Sequence, residues 1–134
     1  AHAMSYQLTK TMGLAHGHAC MLTLPVLWER MAETEENQEF LLDLCSKIRL
    51  GSVEMMPRLL RGILYDLEMV IPPLPSEETL ELFADSVDPQ RLDNHPVKLT
   101  RSDVKEIYRQ AFIPLCAAEK QACLDIWHYY NQQE

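Results

Sequence analysis

Glycine is scarce, with four residues in a chain of 134. None of them builds a glycine-rich phosphate loop of either common spacing, which excludes nucleotide binding through such a loop within these residues. Cations are outnumbered: twelve Lys and Arg stand against twenty Asp and Glu, for a formal charge of -8. With no dense basic stripe to offset that charge, no nucleic-acid partner is expected. No apolar run approaches the roughly eighteen residues of a membrane helix, and no secretory signal pattern is present, so no membrane partner and a cytoplasmic location are expected. Strict apolar–polar alternation, the mark of a half-buried strand, is also missing. The four cysteines, Cys20, Cys45, Cys116 and Cys123, are widely spaced in helical patterns. They read as buried free thiols of a reducing compartment rather than as disulfides or a metal cluster.

What is present is helical spacing in nearly every segment. Hydrophobic residues at 47% and charged residues at 24% are an ordinary globular composition, and the length suits one domain with a single core. A first helix is predicted over about residues 1–11, stopped near Gly13, a residue suited to a left-handed helix end. A second runs from about His16 to Ala32, with Pro25 expected to kink or interrupt it. Thr34 is a plausible N-cap for a third helix that places Phe40, Leu41, Leu44 and Ile48 on one face. After Gly51-Ser52, a fourth carries Met56, Leu59, Leu60, Ile63, Leu64 and Leu67 inward, with Pro57 in its first turn. Pro72, Pro73 and Pro75 form a stiff connector ending at Ser76, an N-cap for residues 77–84.

A loop through Pro89 and Asn94-His95-Pro96 follows. Thr100 to Asp103 reads as a capping box with Asp in place of Glu, and the helix behind it buries Val104, Ile107, Tyr108, Ala111 and Phe112. A last helix from about Pro114 packs Leu115, Ala122, Ile126, Trp127 and Tyr130, with Trp127, Tyr129 and Tyr130 seating it on the bundle. The expectation is one all-α domain over residues 1–134, with about six or seven helices.

Chemistry concentrates at the start. His2 and His16 stand fourteen residues apart, one on each of the first two predicted helices. Neutral imidazole is the commonest protein ligand for zinc or ferrous iron, and two of them supply half of a four-ligand site. His18 lies about 200° around the helix from His16, at the rotation of roughly 100° per residue, which makes it a residue lining a site or the surface rather than a ligand.

The segment from His2 through His16-Gly17, Ala19 and Leu24-Pro25 resembles the second signature of the iron-containing (group III) alcohol dehydrogenases. That signature pairs a histidine on one helix with a histidine-glycine at the start of the next. Asn94 to Val104 is similar to the stretch that closes the same family's helical domain. The resemblance spans residues 1–112 and leaves 113–134 as an additional C-terminal helix. It implies the helical, dehydroquinate-synthase-like C-terminal domain of an NAD(P)-dependent enzyme interconverting small alcohols and aldehydes. It further implies Fe2+ or Zn2+ held by one aspartate and three histidines, with His2 and His16 as the second and third. The aspartate, the first histidine and the nucleotide-binding domain would precede residue 1, so the chain alone would lack activity. Tyr6 falls where many members carry a non-ligand histidine lining the active site, and Lys10 where they carry a small residue. The string from His2 to Tyr6 and the His-Gly-His-Ala run look most like members that reduce phosphonoacetaldehyde-type substrates.

The rival expectation is a non-catalytic helical remnant, a dimerisation or protein-interaction module that associates through apolar surface left by a missing domain. A third is a fragment of an ordinary full-length enzyme.

Overall fold

The computed structural model describes residues 1–133. Among them it is all-α, with eight helices and no strand. The helices are α1 (His2–Met12), α2 (His16–Ala32), α3 (Glu35–Lys47), α4 (Met55–Asp66), α5 (Glu77–Ser86), α6 (Pro89–Leu92), α7 (Arg101–Ala111) and α8 (Ala117–Asn131). The eighth beyond the expected count arises because α6 is a single turn: Asp88 accepts from the Gln90 N–H at 2.9 Å and Pro89 fills the first position.

Local signals set most of the boundaries. Gly13 ends α1 with φ 68° and ψ 18°, and its N–H closes on the Thr9 carbonyl at 3.1 Å. Ser76 caps α5 by accepting from the Thr79 N–H at 3.2 Å. Thr100 and Asp103 cap α7 reciprocally, at 2.8 and 3.1 Å. α3 and α4 stop less comfortably, on left-handed Arg49 (φ 60°) and Glu68 (φ 54°). There the Leu50 N–H reaches back to Cys45 and the Met69 N–H to Leu64, which satisfies last-turn carbonyls.

α2 is the central helix. It packs against α1, α3, α4 and α7 and buries Ala19, Leu22, Thr23, Pro25, Val26, Leu27 and Trp28. Pro25 does not break it. The helix is continuous through that residue because its neighbours Leu22, Val26 and Leu27 are held in the core on both sides of the missing N–H. One apolar cluster fills the space between α1, α2, α5 and α7, centred on Leu8, Leu80, Ile107 and Tyr108. A second gathers Trp28, Leu41, Cys45, Leu50, Val53 and Leu59 at the far end of α2. The Trp28 Nε1–H donates to the Val53 carbonyl at 3.0 Å and ties the 51–54 turn to it.

Three inward faces differ from the sequence reading. On α3 only Leu41 and Cys45 are fully buried, while Phe40 and Ile48 are exposed, because the helix meets the bundle along the narrow strip set by its i, i+4 pair. Leu67 is exposed because α4 ends one residue earlier, at Asp66. On α8, Cys123 is buried and Ala122 is exposed.

α8 lies along α4, and Gly62 makes that approach possible. A Cβ there would abut the Cys123 carbonyl oxygen and sit 2.8 Å from the Trp127 Cβ. The Trp127 Nε1–H donates to Asp66 Oδ2 at 2.9 Å, and the Tyr130 hydroxyl donates to the Ile48 carbonyl at 2.8 Å. Tyr129, in contrast, faces outward.

α5 and α7 run side by side with complementary charges. Glu77, Glu81 and Asp85 on one face Arg101, Lys105 and Arg109 on the other, each set at i, i+4, i+8. α1 is fastened to this layer by Tyr108. Its buried hydroxyl donates to the Met4 carbonyl at 2.7 Å, and burial pushes its pKa up.

Candidate metal centre

The stop at Gly13 and the restart at His16 fold α2 back against α1, so His2 in the first turn of one helix meets His16 at the start of the other. Their ring centroids are 4.8 Å apart in an edge-to-face arrangement. Ser5, fully buried between the helices, sets the chemistry of the pair. Its hydroxyl donates to the His2 carbonyl at 2.7 Å and lies 3.2 Å from His16 Nδ1. A serine has one proton to give. Since that proton is spent on His2, the contact with His16 requires Nδ1–H as donor, and His16 Nε2 presents a lone pair. This is how ligand histidines are commonly oriented, with the far nitrogen held by a second group.

His16 Nε2 lies 3.7 Å from Cys20 Sγ, one helical turn on. His2 Nε2 lies 2.7 Å from the Tyr6 hydroxyl, again at i, i+4. The Arg91 guanidinium sits over the Tyr6 ring, 4.7 Å from its centroid, so α6 closes over this end of α1. His2, Tyr6 and Arg91 line a cleft of about 430 Å³ together with Leu27, Asn94 and His95, while His16 and Cys20 are not among its walls. His95 Nδ1 is 2.9 Å from the Val97 carbonyl, and its Nε2 is buried with no hydrogen-bond partner.

The structure thus brings together His2, His16 and Tyr6 and sends His18 elsewhere. His18 Nε2 meets the Val70 carbonyl at 2.8 Å, and the ring faces a separate cleft beside Pro72 and Pro75. His128 pairs with Asp66 at 3.0 Å on the α4–α8 seam. Ser5 and Cys20 escaped the sequence reading. The available signal was their helical spacing, Ser5 three residues after His2 and Cys20 four after His16. Arg91 and His95 carry no such signal, since their place at the cleft depends on how α6 packs. Cys45 and Cys123 are buried free thiols, whereas Cys20 is half-buried and Cys116 exposed.

Among the described residues no three His, Cys, Asp or Glu side chains already converge as a metal site. His2 and His16 bring two imidazole rings together, which is half of a four-ligand set and not a closed site. No protein-family model, no curated protein and no solved structure matches the chain. No helix of the described residues is long and apolar enough to cross a membrane.

Proposed function

We propose that this chain is the metal-holding helical part of an NAD(P)-dependent, iron- or zinc-containing alcohol dehydrogenase or aldehyde reductase, of the dehydroquinate-synthase-like kind. The observation that supports it best is the meeting of His2 and His16 from separate helices, with the His16 tautomer fixed by a buried serine. The reading also draws on the resemblance of residues 1–112. It requires an aspartate, a further histidine and a nucleotide-binding region that residues 1–134 do not contain, and reductase activity depends on that complement.

A bound Fe2+ or Zn2+ supplies Lewis acidity toward a substrate carbonyl oxygen. The chain's own residues do the rest of the positioning: His2 and His16 would hold the ion, Ser5 keeps the His16 ring turned, and Leu27 gives the cleft beside His2 an apolar wall. Arg91 and Asn94 place a cation and an amide at the rim, which suits a small aldehyde bearing an anionic group such as a phosphonate.

Reconstitution tests this. The chain is mixed with a nucleotide-binding half of the same enzyme class, and NADH- or NADPH-dependent reduction of small aldehydes is followed with iron or zinc. Activity above either half alone, lost in His16→Gln, is expected. No gain across several aldehydes, anionic ones included, overturns the reading.

A second reading rests on apolar exposure. Leu67, Val70 and Leu74 are each more than half exposed along the α4–α5 connector. A non-catalytic module dimerising through that surface predicts a tight metal-free dimer in analytical ultracentrifugation. A monomer at high concentration contradicts it.

A further inference from the structure

The connector between α4 and α5 has no part in the metal centre. Residues 69–76 form neither helix nor strand and hold three prolines, Pro72, Pro73 and Pro75. We infer that the Pro72-Pro73-Leu74-Pro75 run is a docking segment, a polyproline II ridge that fits the aromatic-lined groove of a separate proline-recognition domain. It goes beyond the enzyme reading and needs neither a metal nor the nucleotide-binding region.

The prolines set the backbone. Each ring fixes φ at about −65°, and a residue that precedes a proline is pushed out of the helical region. Ile71, Pro72 and Leu74 all precede prolines, so the run is biased to the extended polyproline II form. Ser76 continues it, with φ −63° and ψ 158°. Both ends are held. The His18 Nε2–H donates to the Val70 carbonyl at 2.8 Å, and Ser76 caps α5. A segment already fixed in its extended form loses little conformational freedom on docking.

The bundle presents two of its edges. Polyproline II has about three residues per turn, so the run has three edges. Pro72 and Pro75 share one, half-buried along a cleft beside Met12 and Phe83. Val70 and Pro73 share the second and Leu74 stands on the third. Val70 is 71% exposed, Leu74 is 53% exposed, and Pro73 is exposed as well. Among the described residues the carbonyls of Pro72, Pro73 and Leu74 accept no backbone hydrogen bond. They are free for the indole and phenol donors of an aromatic groove.

Flanking charge gives the partner a sign. Glu68 and Glu78 bracket the run, both exposed, and neither is in an ion pair among the described residues. Complementarity asks for Lys or Arg at the rim of the groove. It weighs against a second copy of this chain, whose formal charge is -8.

Purified WW and SH3 domains, chosen with basic and with acidic groove rims, are the probes, and groove tryptophan fluorescence is followed as the full chain is added. At least one basic-rimmed domain is expected to bind, and acidic-rimmed domains of the same kind at least about tenfold more weakly. The double variant Pro73→Ala, Leu74→Ala changes only outward edges and should weaken binding at least about tenfold. Leu42→Ala, at a leucine 55% exposed on α3, should leave it unchanged. Glu68→Lys with Glu78→Lys keeps every proline and should weaken binding to the basic rim, with less dependence on salt. Circular dichroism checks that each variant remains helical.

No binding by any of these domains at about 0.5 mM overturns the inference. Binding that survives Pro73→Ala, Leu74→Ala overturns it as well. Self-association in sedimentation, lost in that double variant and with no domain bound, assigns the surface to a second copy and also overturns it. None of these results bears on reconstitution of the reductase.

Discussion

The Ser5 hydroxyl gives its single proton to the His2 carbonyl at 2.7 Å and therefore accepts one from His16 Nδ1 at 3.2 Å. One buried side chain thus fixes the backbone of the first histidine's turn and the tautomer of the second.

Replacing that serine is the most selective perturbation available. Ser5→Ala should leave helicity intact and weaken Zn2+ binding by about 10–100-fold, the usual cost of losing a group that orients a ligand. Competition against a chromophoric chelator measures it. Unchanged affinity would show that Ser5 serves packing alone.

Tyr6→Phe acts in the opposite direction. The tyrosine hydroxyl engages His2 Nε2 at 2.7 Å, the same nitrogen an ion would use. Removing a competing hydrogen bond with a net value of about 0.5–1.5 kcal/mol should tighten zinc binding by about 2–10-fold. Weaker binding in this variant would mean that the hydroxyl supports the ligand instead of competing for it.

Gly62→Ala should destabilise the fold although alanine is the better helix former by about 1 kcal/mol. The new Cβ meets backbone at Cys123, which cannot turn aside as a flexible side chain would. A loss of about 1–3 kcal/mol in urea unfolding is expected, with α8 pushed from α4. Gly17→Ala, where no neighbour lies within 4 Å, is the control and should be tolerated.

Acid should loosen the α5–α7 layer. Glu77 is held below its ordinary pKa first by the hydrogen bond from Lys105 and then by Arg109. Lys105 and Arg101 do the same for Glu81, and Arg101 for Asp85. Lowered folded values mean that the unfolded chain binds protons first as pH falls. The contribution is therefore complete above the ordinary carboxylate range, about pH 4–4.5, and is lost as pH drops through the folded values. Thermal midpoints should hold from pH 8 to about 5 and decline below about 4, less steeply in high salt. A midpoint insensitive to acid would contradict the pairing.

The parts of the fold that depend on neighbours in sequence were legible. Gly13, Ser76 and the Thr100–Asp103 box each act within one turn, and their residue types carry the geometry with them. Pro25 does not interrupt α2, because its cost is local while the packing that holds the helix together comes from other helices. The phase of α3 could not be read from its apolar residues, since Phe40 and Leu41 differ only in what lies opposite them. Gly62 carries no signal of its own in the sequence, since its role depends on α8 lying against it. At the candidate site, the two histidines stood out by type. Ser5 did not, because a serine becomes an orienting group only through what faces it across the α1–α2 crossing.

Side-chain nitrogen resonances of 15N-histidine-labelled protein, followed as Zn2+ is added, test the central claim most directly. The account predicts that His2 Nε2 and His16 Nε2 shift together and saturate at one equivalent, while His18, His95 and His128 stay in place. If His2 and His16 stay unmoved, or respond at separate stoichiometries, the two rings do not share an ion, and the metal centre built on them is contradicted.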